Sequence, residues 1–111
     1  MNARIEFAHT ASDLMGLLRI GGLSPLRLGG RTLLPIVQGG MGVGVSAHRL
    51  AGSVAALGAV GTISSVDLRR HHPDLMERTR DCRVGAAAKA AINAANLEAL
   101  EREIVAARAL S

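Results

Sequence analysis

The period of apolar and polar positions changes several times along the chain, and each change marks an element. Leu14, Leu17 and Leu18 share one helical face, with Thr10-Ala11-Ser12-Asp13 ahead of them as a cap and Gly21-Gly22 as a stop. Residues 26–33 alternate around Gly29-Gly30, which predicts a small hairpin. Residues 33–37 then form a continuous apolar run of strand length, with Pro35 tolerable near a strand start or an edge. Four glycines follow within positions 39–44. A helix is predicted over 47–57, with Ser46 as its N-cap, Leu50, Val54 and Leu57 on one face, and Gly58 as its stop. Residues 59–63 read as a second buried strand, closed by Ser64-Ser65-Val66-Asp67. Helical residues 68–80 are interrupted by Pro73. A long helix is predicted over 94–109, capped by Asn93 or Asn96. Leu97, Leu100, Ile104 and Ala107 share its apolar face, and Glu98 and Arg102 form an i,i+4 pair.

The order is therefore strand, helix, strand, helix, helix, preceded by a helix and hairpin. That is an α/β pattern of two βα units over 33–111, with residues 1–32 as an N-terminal extension. Two parallel strands do not make a stable sheet alone, and parallel sheets need cover on both faces. The expectation is an incomplete sheet that seeks partners, including self-association through its exposed strands.

Composition narrows this picture. Apolar residues make up 49% of the 111, so the chain is not disordered by composition, yet Phe7 is its one aromatic residue. The core must be built from aliphatic side chains and alanine, which buries little area per residue. The net charge of +4 is scattered, with Lys89 the single lysine and no run of five or six like charges. With no aromatic platforms, nucleic-acid binding has no support. Cys82 is the one cysteine, which excludes an internal disulfide. The charge-free stretch 50–66 carries serines, threonine and glycines and falls short of a membrane span, so no membrane role and a cytoplasmic location are expected.

The chemistry concentrates at the glycine turn. Gly39, Gly40 and Gly42 present bare backbone that a flat ligand can approach closely. Met41 offers a soft side chain for packing on a ring, and backbone N–H groups in the turn can stabilise negative charge. Ser64 and Ser65 end the second strand next door and offer hydroxyls. Two other readings stand beside this one. Gly42-Val43-Gly44-Val45-Ser46-Ala47 fits the dinucleotide pattern G-x-G-x-x-A, with Asp67 at the end of the second strand to take ribose hydroxyls. Glycines at strand-to-helix turns also serve tight packing alone.

Residues 34–42, Leu-Pro-Ile-Val-Gln-Gly-Gly-Met-Gly, resemble the opening strand of the nitronate monooxygenase (2-nitropropane dioxygenase) family, and 59–65 resemble its second strand. The likeness covers roughly residues 24–111. FMN-dependent enoyl reductases have a similar opening. The resemblance implies the N-terminal part of an FMN-binding (β/α)8 TIM barrel, with the hairpin as a plug at the barrel bottom. It implies FMN as cofactor, held in part by Gly39, Gly40, Met41 and Gly42, with Ser64 and Ser65 alongside. It also implies oxidation of a small alkyl nitronate to a carbonyl compound and nitrite, with O2 reoxidising the flavin. The family's catalytic histidine and phosphate loops lie in later strands, and no residue here matches them. No catalytic residue is therefore assigned, and the chain alone is expected to be inactive.

The remaining candidates read as structural. His71-His72 point apart on a helix and lack ligands at the needed spacing, so no metal site is expected. Cys82 lies between Asp81 and Arg83, whose effects on a thiol oppose each other. His48 and Lys89 read as helix-surface residues.

Overall fold

A computed structural model describes the backbone of residues 3–111 and the side chains of residues 11–111. In order, the elements are α1 (Ala3–Ile20), β1 (Leu26–Leu28), β2 (Arg31–Leu33), α2 (His48–Ala56), a 3-10 turn (Leu68–His71), α3 (Pro73–Arg78) and α4 (Ala86–Leu110). The helix expected near Leu14 starts much earlier, so Thr10 to Asp13 lie inside α1 and do not cap it. It ends at the glycine pair, where the Leu23 N–H bonds the Leu18 carbonyl at 2.9 Å and the Gly22 N–H that of Arg19 at 3.0 Å. The hairpin forms as the alternation predicts, with Leu26 opposite Leu33 and Leu28 opposite Arg31. Gly29 and Gly30 both take positive φ, +55° and +75°, the backbone that a two-residue hairpin turn requires.

The runs 33–37 and 59–63, expected as two buried strands, do not form strands of their own and meet in one isolated bridge. Val37 pairs with Val60 in a parallel bridge. The Leu34 N–H bonds Gly58 O at 2.8 Å, the Val60 N–H bonds Ile36 O at 3.0 Å, and the Gln38 N–H bonds Val60 O at 2.9 Å. The pairing stays short because the chain bends at Pro35, where the Ile36 N–H turns back onto Leu34 O at 2.7 Å. Both runs were expected to be buried throughout. Instead Leu34 and Ala59 are buried, whereas Ile36 is 44% and Val37 62% exposed. With two strands and helices on one side, nothing among the described residues covers the other face.

Behind the ladder, α2 packs mainly on α4. The two run in the same direction, with His48 against Glu103 and Gly52 against Ala107 and Leu110. The buried faces differ from those the leucines suggested. In α2 they are Ala51 and Gly52, with Leu50, Val54 and Leu57 half-buried. In α4 they are Ala95, Ala99 and Glu103, while Leu97 and Ile104 face out. Small residues win because the layers sit close: a Cβ on Gly61 would lie 2.0 Å from Ala51 O. The core cluster is Leu68, Leu75, Ala95 and Ala99, with Ala47, Ile63 and Leu100 against it. Among the described residues, Leu34, Leu68 and Leu75 are the largest wholly buried hydrophobic side chains, each contributing about 1.5–3 kcal/mol.

α4 begins at Ala86, earlier than expected, because the alanines after Gly85 are strong helix formers. Asn93 and Asn96 therefore sit inside it. Asn96 caps nothing in α4, and its Oδ1 accepts the Arg69 N–H at 3.1 Å. Pro73 opens α3 at its first turn, where a missing N–H costs nothing. The radius of gyration is 17.5 Å, against about 13 Å for a compact chain of this length, because α1 and the hairpin stand off the rest. No helix of the described residues is long and apolar enough to cross a membrane.

Gly61→Val should drive α2 off the ladder and cost at least ~2 kcal/mol in chemical unfolding. Gly16→Ala, where a Cβ meets nothing within 4 Å on an exposed helix, should instead be neutral or stabilise by up to ~1 kcal/mol. Equal effects of the two substitutions would contradict this packing.

Candidate functional site

The glycine turn leaves the ladder at Gln38, whose side chain extends the pairing the backbone has ended. Its Nε2 donates to Thr62 O at 3.2 Å, and its Oε1 accepts the Thr62 N–H at 3.0 Å. One amide side chain thus stands in for a backbone unit and ties the turn to the second strand. Its Nε2 also contacts Gly39 O. The far end of the turn is closed by Ser46, which is wholly buried. Its Oγ accepts the Met41 N–H at 2.7 Å and donates to Met41 O at 3.2 Å, and its own N–H bonds Met41 O at 3.0 Å. Ser46 is therefore not the N-cap of α2. That place falls to Ala47, which has no capping side chain.

The glycines of the turn divide into two kinds. Gly44 takes a φ of +69°, which favours glycine, and at both Gly42 and Gly44 a side chain would have to displace an exposed neighbour. A Cβ on Gly42 would lie 2.2 Å from Val66 Cγ1, and one on Gly44 would strike the His71 ring at 1.7 Å. Gly39 and Gly40 meet neither constraint. Neither takes a positive φ, a Cβ on Gly39 would meet nothing within 4 Å, and one on Gly40 would make ordinary contacts with Ser64 and Thr62 at 3.6 and 3.7 Å. Both are exposed.

Of the six residues expected at the site, Gly40, Gly42 and Ser64 come together. The Ser64 Oγ lies 3.4 Å from where a Gly42 Cβ would sit. Gly39 flanks them on the open side. Met41 is 44% exposed, so its side chain is available, but its N–H is already committed to Ser46. Ser65 is not part of the group. It faces a separate cleft with Asn93, Asn96, Leu97 and Leu100.

A second cluster lies on the outer side of the turn, and the sequence did not point to it. Glu103 is 4% exposed. Its Oε2 accepts the His48 backbone N–H at 2.8 Å and faces His48 Nδ1 at 2.6 Å, and its Oε1 faces His72 Nε2 at 3.1 Å. A carboxylate from α4 thus caps α2, where negative charge also meets the helix dipole favourably. Burial pushes the Glu103 carboxyl up, but the bonds from the His48 amide and ring and from His72 more than offset it and hold it below its ordinary value. Beyond it, Arg102 grips Asp74 through two bonds of 2.7 and 2.8 Å and Glu98 at 2.8 Å. The guanidinium hydrogen-bonded to Asp74 takes that exposed carboxyl down to about 2. The one signal available for Glu103 was its place eight residues after Ala95 and four after Ala99, on the small-residue stripe.

This arrangement bears on the dinucleotide pattern. The N-terminus of α2, where a pyrophosphate would bind, holds the Glu103 carboxylate. Asp67, the expected ribose partner, is paired with Arg69 and Arg70. His71 lies over Gly44, its Nε2 3.3 Å from Val43 O. Cys82 is a free, half-buried thiol and Lys89 an exposed helix residue. Among the described residues, no three His, Cys, Asp or Glu side chains are arranged to hold a metal ion.

An ionised carboxylate has no proton to give, so the ring nitrogens facing Glu103 must carry theirs. Neutral His48 should therefore be the Nδ1–H tautomer and neutral His72 the Nε2–H tautomer, with His72 Nδ1 turned to Arg102 Nη1 at 3.5 Å. Imidazole 15N shifts at neutral pH check this, and a neutral His48 protonated at Nε2 would contradict it. No family model, curated protein or solved structure matches this chain.

Proposed function

We propose that this chain supplies the first two βα units of an FMN-dependent (β/α)8 oxidoreductase, and that its glycine turn lies against the flavin ring. The observation that carries the reading is the pair Gly39 and Gly40. Backbone conformation and packing leave room for a side chain at both, so the missing Cβ atoms serve something outside the chain. They lie past the C-terminal end of the first strand, beside Ser64 at the end of the second, where βα barrels bind ligands. The exposed Ile36, Val37 and Val66 fit a sheet continued by further strands.

The surface suits the ring better than the phosphate. Bare backbone at Gly39 and Gly40, the soft Met41 side chain and the Ser64 hydroxyl match a flat, largely apolar ring with polar edges. The α2 N-terminus is already held by Glu103, so the phosphate has no seat there. When bound, the flavin supplies two-electron redox chemistry. The chain's own residues present a flat surface and a hydroxyl, and they fix the turn through Gln38 and Ser46. The substrate class we propose is the alkyl nitronate, with O2 as oxidant, and the carrier of that step is the sequence resemblance of residues 34–42 and 59–65.

Because these residues touch the ring and not the phosphate, riboflavin and FMN should bind this chain alike, and weakly, with a Kd of roughly 1 mM. Backbone amide shifts during titration should concentrate at residues 39–42 and at Ser64. Strong preference for FMN, or shifts centred elsewhere, such as on residues 83–89, would overturn the placement.

A further inference from the structure

Glu103 lies outside the turn, yet its bond to the His48 amide connects it to the turn. The His48 N–H that it caps is two residues from Ser46. Ser46 closes the far end of the turn on Met41, and its carbonyl accepts the Ser64 N–H at 3.0 Å, which ties in the end of the run 59–63. Ala47, between them, packs on the Leu68–Leu75–Ala95–Ala99 core. The Glu103 carboxylate is therefore the outer anchor of a short rigid path running His48, Ala47, Ser46, Met41.

We propose that Glu103 is a positioning residue for the glycine turn, and that its negative charge is what holds the turn in its closed shape. The proposal deepens the flavin reading, since the turn it positions is the one placed against the ring. Charge matters because the carboxylate must accept from three N–H groups at once, those of the His48 amide, the His48 ring and the His72 ring. A carboxyl group or an amide in its place presents a donor to one of them. The groups that face Glu103 are His48 from α2 and His72 from the start of α3. Arg102 on α4 lies behind His72 and is itself neutralised by Asp74 and Glu98. Arg49 and His71 line the same cleft of about 370 Å³. The folded-state carboxyl sits below its ordinary value, so the anchor is complete above the ordinary carboxylate range and lets go as pH falls through the folded value.

The test is amide hydrogen exchange on the whole 111-residue chain, corrected for intrinsic rates, for wild type and Glu103→Gln. At neutral pH the variant should lose protection about tenfold or more at Met41, Ser46, His48 and Ser64, while Ala95 and Ala99 within α4 keep theirs. Wild type should show the same selective loss as pH falls through the Glu103 titration, and the variant should show no further pH-dependent step there. The acid titration of wild type needs no variant. Since Asp67, Asp74 and Glu98 also titrate low, the carboxyl 13C shift of Glu103 is followed beside the amides, which ties the loss to Glu103 even if Glu103→Gln fails to fold. Unchanged turn amides in the variant would overturn the proposal. So would simultaneous loss at turn and core in the wild-type titration, or the absence of protected amides at neutral pH. Riboflavin titration separates the two readings. Loosened turn amides in a chain that binds no riboflavin would leave Glu103 as the anchor and sink the flavin assignment. Riboflavin binding with unaffected turn amides would do the reverse.

Discussion

Glu103 is buried with a full charge, and burial of a carboxylate is tolerated when donors surround it. Here the donors come from the start of α2 and from the residue before α3, so one side chain of α4 joins three segments. Satisfying it fixes the register of α4 on α2, and that register brings Gly52 under Ala107 and Leu110. Ala95 and Ala99, earlier on α4, pack separately against Leu68 and Leu75. The hydrophobic core is thin, with three large leucines wholly buried, so a polar anchor carries part of the specificity that a larger core would supply.

Close approach is the second constraint. The ladder packs on α2 through Gly61 and Ala51, and α2 packs on α4 through Gly52, where larger side chains would collide, while Ala95 and Ala99 are wholly buried in the core. The leucines that gave the helices their amphipathic signature are left half-buried or exposed. This arrangement makes sense if the exposed apolar strand face and these leucines meet further elements of a barrel, which is the architecture we propose.

Much of the local structure was legible in the sequence. Gly29-Gly30 announced the hairpin, Gly58 the end of α2, and Pro73 a break in the helical residues 68–80, where the structure starts α3. Each is set by backbone conformation, which a residue carries wherever it stands. What was not legible depended on distant partners. Ser46 had the look of a cap but found Met41, and Asn96 did the same with Arg69. Glu103 gave no signal of its own, because its partners, His48 at the start of α2 and His72 before α3, are 55 and 31 residues away. At the site, the glycines could be counted but not sorted, because the positions of Val66 and His71 decide at which of them a side chain would be crowded.

That sorting is the centre of the account. Gly42 and Gly44 lie close against Val66 and His71, and in the function we propose Gly39 and Gly40 face the ligand. Gly40→Ala separates the two roles, since its Cβ meets the protein at ordinary contact distances. The most direct measurement is riboflavin affinity of Gly40→Ala beside its unfolding midpoint. The account predicts an unchanged midpoint and flavin binding weakened by about tenfold or more, from a methyl group driven against the ring. Flavin affinity equal to that of the parent chain would contradict it.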